Sequence, residues 1–171
     1  MSTEKHDKLQ CKHISNEDSN ILGLLKTCAK KKDLHEGIRL HTHIQKKGLL
    51  ETSPYIASTL ISMYARCGKL EKAQKLLEDL PIRDVVTWSA LMAGYAQYGQ
   101  GHMALKCYEI MRIEGISPDS VSYICALKAC GITGSIDIGK SIHEEILNHA
   151  EHFIGKDVML GTALVDMYVK C

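Results

Sequence analysis

Two columns of small residues run through the chain with one irregular spacing. Ala29, Ala65, Ala96 and Gly131 are separated by 36, 31 and 35 residues, and Gly37, Ala73, Ala104 and Gly139 by the same 36, 31 and 35. The full period of 102 carries Cys28 onto Cys130 and His41 onto His143, and sets LLKTC at 24–28 against ALKAC at 126–130. Self-similarity at such a period marks a repeat array. Each repeat is too short to bury an apolar face by itself, so the core must form where repeats stack. Small residues let two helices approach closely. The spacing places that approach within each repeat, between its two helices.

Segment 85–119 shows the unit best. Leu91, Met92, Tyr95 and Ala96 share one stripe at helical spacing, so a first helix is expected over about 86–98, broken by Gly99 and Gly101. A second, over about 102–114, carries Met103, Leu105, Ile110 and Met111 and stops at Gly115 and Pro118. The other segments are variants. Residues 1–17 are polar and mixed in charge and read as a disordered leader. A long repeat covers 18–53, with Asp33 as the N-cap of its second helix. A short repeat covers 54–84, with Pro54 at the first helical position and Pro81 ending the second helix. A second long repeat covers 120–157, in which 148–157 reads as a lengthened exit loop. Residues 158–171 are the first helix of another short repeat. Nine helices and no strand are expected. Leu160, Leu164 and Met167 would then lack a partner helix, so the last helix should fray. Ending inside a repeat, the chain reads as a fragment of a longer array.

A hydrophobic fraction of 45% can fill a core, but aromatics are only 5%, so aliphatic and Met side chains must do most of the packing. Lys and Arg number 21 against 20 Asp and Glu, a net charge of +1. That balance lacks the basic excess usual in nucleic-acid binders, and charge alone would not bring RNA to mind. The seven cysteines are odd in number and form no CxxC, which reads as reduced thiols used as apolar packers, with disulfides the alternative. No apolar run reaches the roughly 18 residues of a membrane span, and no membrane contact is expected. The first twenty residues hold no Arg and several acids, unlike an organellar transit peptide.

Chemistry-bearing motifs are incomplete. His143 and Glu145 spell the first half of a zinc-deaminase signature, but the PCxxC half is absent. His41 with His43, or His149 with His152, lack the four-ligand spacing of structural zinc. No phosphate loop or nucleophile elbow is present. No catalytic residue, metal, cofactor or small-molecule substrate is expected.

LLKTCAKKKDLHEGIRLHTHI (24–44), TLISMYARCGKLEKAQKLLEDLPIRDVVTWSALMAGYAQYG (59–99), GISPD (115–119), ALKACGITGSIDIGKSIH (126–143) and ALVDMYVKC (163–171) resemble the pentatricopeptide repeat family. The likeness covers roughly 18–171 and is to the plant organellar subtype, in which long, short and standard repeats rotate. It implies an all-α, right-handed solenoid of antiparallel helix pairs that binds single-stranded RNA, with editing cofactor proteins as further partners. It also implies a mitochondrial or chloroplast location, and a role in RNA processing such as recognising cytidine-to-uridine editing sites. A deaminase-like domain could lie C-terminal to this segment. The rival is a tetratricopeptide-like scaffold for protein partners, since helix-pair grooves also bind peptides.

In the family, the fifth and last residues of a repeat together read one base. The fifth positions here are Leu22, Ser58, Ser89, Ile124 and Thr162, and the last are Ser53, Asp84, Asp119 and Asp157. By resemblance, Ser58 with Asp84, Ser89 with Asp119, and Thr162 are base-reading, whereas Leu22 and Ile124 cannot hydrogen-bond a base edge. A hydroxyl donates or accepts and a carboxylate only accepts, which leans towards the N–H donors of guanine. The family pairs Asn–Asp with uracil. Asp at a repeat junction is equally an N-cap for the next helix, and both readings stay open. Tyr55, Val86 and Val121 hold the base-flanking second position. Lys30, Arg66 and Lys170 hold the phosphate-facing thirteenth, a stripe broken by Gln97 and Ile132. The Lys30–Lys32 run also reads as a solvated turn.

Overall fold

A computed structural model describes residues 16–148 and 157–171. Most of the expected leader and of the 148–157 exit loop lie outside the described residues. Ten helices and no strand occur among those described. They are α1 (Asn16–Lys31), α2 (Leu34–Lys46), α3 (Leu49–Thr52), α4 (Pro54–Arg66), α5 (Leu70–Asp79), α6 (Val85–Gln97), α7 (Gly101–Ile113), α8 (Ser120–Thr133), α9 (Ile136–Asn148) and α10 (Val158–Lys170).

The punctuation works as its chemistry dictates. Asp33 caps α2 by accepting from the Glu36 N–H at 3.1 Å, and Pro54 opens α4. Gly99 and Gly115 follow α6 and α7 at φ of 71° and 77°, a region open to residues without Cβ. Two details differ from expectation. α1 starts at Asn16, inside the expected leader. α3 is an unforeseen single turn: Gly48, at φ 65°, ends α2, and Leu49 and Leu50 then pack on the core.

Consecutive helices pair as α1/α2, α4/α5, α6/α7 and α8/α9, and α10 follows. The packing between pairs is uneven. The first helices form one row, α1 on α4, α4 on α6, α6 on α8 and α8 on α10. Each second helix touches its own partner and the next first helix, whereas consecutive second helices barely meet among the described residues. A row packed tightly on one side and splayed on the other curves. The first helices therefore line the concave face of a solenoid. One continuous core of buried side chains runs from Ile21 to Met167.

The glycines of the second column, Gly37 and Gly139, do a different job from the one their spacing implied. A Cβ on Gly37 would meet the Met63 Sδ at 2.5 Å, and one on Gly139 the Met167 Sδ at 2.5 Å. Both methionines belong to the next pair's first helix. A Cβ on Gly94 would meet the Ala65 Cβ at 2.5 Å, and one on Gly101 the Ala129 carbonyl at 2.8 Å. These close approaches lie between pairs, not within them. The expected intra-pair contact of Gly139 is thus corrected: stacking, where glycine faces methionine, demands the missing side chain.

Of the three α10 residues expected to lack a partner, two are covered and Leu164 is half-buried. Leu160 is 3% exposed and Met167 fully buried, both against the preceding pair, so neither waits for a further helix. Val158, Met159, Val165, Tyr168 and Val169 stay exposed on α10.

Polar contacts lock first helices to the second helix before them. The Tyr64 hydroxyl meets the His41 Nδ1 at 2.8 Å, and the Tyr168 hydroxyl meets the His143 Nδ1 at 2.9 Å. The Tyr95 hydroxyl donates to Gln74. His143, half of the incomplete deaminase signature, is therefore a junction residue. The two His–Tyr pairs are 23 and 25 residues apart, so the second long repeat carries two extra residues between matching contacts.

His41 Nε2 is buried with no partner among the described residues. Burial, aided by nearby Lys72, holds the His41 pKa below its usual value. The folded state thus resists a proton that the unfolded chain accepts. This stabilisation is complete above the unfolded value of roughly 6.5 and is lost as pH falls through the folded one. Urea midpoints should fall between pH 7.5 and pH 5, and by less in His41→Asn; an identical fall in the variant would contradict this.

Six described cysteines are free. Burial pushes the Cys107 thiol up to about 12 and those of Cys125 and Cys130 up to about 11. They stay protonated at neutral pH and act as core packers.

Candidate nucleic-acid interface

The first helices carry the second-, fifth- and thirteenth-position residues, and Asp84, Asp119 and Asp157 sit at their N-caps. Ser58, Arg66 and Val86 line one open groove of about 330 Å³, together with Lys26, Ala29, Thr59, Ser62 and Ala90. A candidate reader, a candidate flanking residue and a candidate phosphate contact thus meet in one place, contributed by α4 and α6. Lys26 was missed. Its signal was available, since it sits one turn before Lys30 on the same face of α1. Among the described residues no carboxylate pairs with Lys26, Lys30 or Arg66. Lys170 differs: its ammonium pairs with Asp166 at 2.6 Å on its own helix.

The second-position residues form an exposed apolar ladder along the face. Tyr55 is 61% exposed, Val86 46% and Val121 52%, with Met159 at 70%. These side chains have the shape to flank planar rings, and they stay exposed beside a well-packed core.

The last-position aspartates all cap helices. Asp84 Oδ1 accepts from the Thr87 N–H at 2.8 Å, and Asp119 Oδ1 from the Ser122 N–H at 2.8 Å, each closing a capping box. Asp157 accepts from the Met159 and Leu160 N–H groups. The Leu160 N–H above all, with the Ser120 side chain, holds its carboxyl below the usual range. For Asp84 and Asp119 the cap occupies Oδ1 alone, and Oδ2 has no bond among the described residues. Capping and base reading are therefore compatible.

The fifth-position hydroxyls are wired differently from one another. Ser58 donates to its own helix at the Tyr55 carbonyl, 3.2 Å away. Ser89 instead meets the Ser122 hydroxyl at 2.9 Å, and Ser122 donates to Asp119 Oδ1 at 2.7 Å. Ser89 and Asp119 are thus linked through a third residue that the register did not single out. Thr162, on the exposed side of α10, donates to the Val158 carbonyl at 2.8 Å.

An array of helix pairs with an open, part-apolar and part-cationic inner face defines a repeat solenoid with a linear binding surface. Sequence models of the PPR repeat family and of the PPR repeat match residues 83–131 and 55–85. A mitochondrial pentatricopeptide repeat-containing protein of Arabidopsis thaliana is 34% identical over 94% of this chain and 28% of its own. Two chloroplastic ones from the same plant are each 37% identical over 94% of this chain, and over 25% and 30% of theirs. In the crystal structure of the pentatricopeptide repeat protein PPR10 from maize, the fold matches 86% of this chain and 21% of that one with a TM-score of 0.59 at 22% identity. The chain belongs to the pentatricopeptide repeat family. It spans about a quarter to a third of the length of these curated relatives.

Proposed function

We propose that the array binds single-stranded RNA along its concave face, one base per repeat. The repeats are 18–53, 54–84, 85–119 and 120–157, with 158–171 beginning a fifth. Ser58 with Asp84, Ser89 with Asp119, and Thr162 read base edges; Tyr55, Val86 and Val121 flank them; Lys30, Arg66 and Lys170 contact phosphates. The observation that carries this reading is the groove holding Ser58, Val86 and Arg66 together. One base per helical repeat, read by two or three side chains, is the logic such arrays allow. Leu22 and Ile124 fall in the two long repeats and the hydroxyls in the short and standard ones, in keeping with the plant organellar subtype of rotating repeat lengths. We further propose a role in mitochondrial or chloroplast RNA processing, such as recognising cytidine-to-uridine editing sites, with editing cofactor proteins as partners.

The test is affinity for single-stranded RNA, duplex RNA and apolar peptides across a salt series. Single strands should bind best, and Arg66→Ala should weaken all sequences alike and lower the salt slope by about 1. Preference for peptides, with Arg66→Ala without effect on RNA, would favour the protein-scaffold reading.

A further inference from the structure

We infer that Ser122, in the repeat after Ser89 and Asp119, fixes which hydrogen-bonding face that pair shows to its base. The inference rests on the base-reading proposal and assigns it an additional residue. Ser122 is fully buried and Ser89 is 4% exposed, between the exposed Val86 and Val121. The Ser122 hydroxyl lies 2.7 Å from Asp119 Oδ1, and a carboxylate only accepts, so Ser122 spends its proton there. In the 2.9 Å contact between the hydroxyls, Ser89 must therefore be the donor. Its proton is committed inward, and only lone pairs remain for a ligand. Asp119 Oδ2 is likewise acceptor-only. Two acceptors held by one hydrogen-bonded chain through Ser122 match a base edge with two adjacent donors. Guanine, with N1–H beside N2–H, has that edge. Adenine sets its N1 acceptor beside the N6 amino group and would face a repulsive contact.

Module 54–84 provides an internal contrast. Thr87 occupies the place of Ser122, but its hydroxyl donates to the Asp84 carbonyl at 2.8 Å, and Ser58 holds only the Tyr55 carbonyl in its own turn. That bond is local, and the Ser58 hydroxyl can rotate outward and donate. The same Ser–Asp pair thus offers a fixed acceptor in one repeat and an adaptable hydroxyl in the other.

The experiment measures dissociation constants of the whole chain for single strands differing only as G or A, at the position facing 85–119 or at that facing 54–84. The wild type should prefer G over A by about tenfold at the first position, the scale of a good base contact, and by less at the second. Ser122→Ala keeps the backbone cap on Asp119 and frees the Ser89 proton, so the G-over-A ratio at the first position should fall severalfold, with the second unchanged. An unchanged ratio in Ser122→Ala, where Ser89→Ala abolishes it, overturns the role of Ser122 and leaves base reading intact. If neither variant moves the ratio, or no single strand binds, base reading fails and this inference with it. Should Ser122→Ala melt, the wild-type comparison decides: equal ratios at the two positions overturn the inference.

Discussion

Gly94→Ala should destabilise the array, although alanine is the better helix former by about 1 kcal/mol. The new Cβ would fall 2.5 Å from the Ala65 Cβ, 3.3 Å from the Leu70 Cδ2 and 3.7 Å from the Ala65 Cα. Neither side of the Ala65 contact has a flexible end that could swing away. The only relief is to push α6 off α4, which opens the row of first helices that shapes the concave face. Overpacking of this kind costs about 1–3 kcal/mol. Gly23→Ala is the control. It lies within α1 with nothing within 4 Å of the added carbon, so propensity acts alone and the variant should gain stability. Opposite signs in urea unfolding are expected; equal gains would contradict the close approach of α4 and α6. Gly37→Ala should fall between, because its collision is with the flexible Met63 side chain.

These glycines show where the sequence is readable and where it is not. Helices α2 and α4 to α9 were legible because Asp33, Pro54, Pro81, Gly99 and Gly115 punctuate an apolar pattern of helical period. The two small-residue columns reported the repeat correctly, but at Gly37 and Gly139 not the contact. A column of glycines says that something comes close; it does not say from which side. Only the pairing of Gly37 with Met63 and of Gly139 with Met167 identifies the neighbour as the next pair. α3 was unreadable for a related reason: Leu49 and Leu50 are too few to carry a period, and they form a turn because the core is within reach. The candidate site divides the same way. Repeat register together with the family resemblance singled out Ser58, Ser89, Val86 and Arg66. It could not find Ser122, which looks like an ordinary capping-box residue and touches Ser89 only because α8 packs on α6.

The second large effect is a change of base. Ser89→Asn replaces a hydroxyl whose proton is held inward by a group that donates and accepts at once. Uracil alternates acceptor, donor and acceptor along its edge, so the new amide can donate to a uracil oxygen while Asp119 Oδ2 accepts from N3–H. Guanine no longer meets two acceptors. A good contact of this type carries about 1–3 kcal/mol of discrimination, borrowing the scale of base contacts in DNA. Arg66 sits elsewhere in the interface, at the exposed end of α4, and carries charge without a base edge to read. The most direct measurement is therefore the affinity of the wild type, Ser89→Asn and Arg66→Ala for four single strands that differ only at the base facing 85–119. The account expects guanine first for the wild type, uracil first for Ser89→Asn, and a uniform loss with the base order kept for Arg66→Ala. An unchanged order in Ser89→Asn, with the order altered in Arg66→Ala, would contradict it.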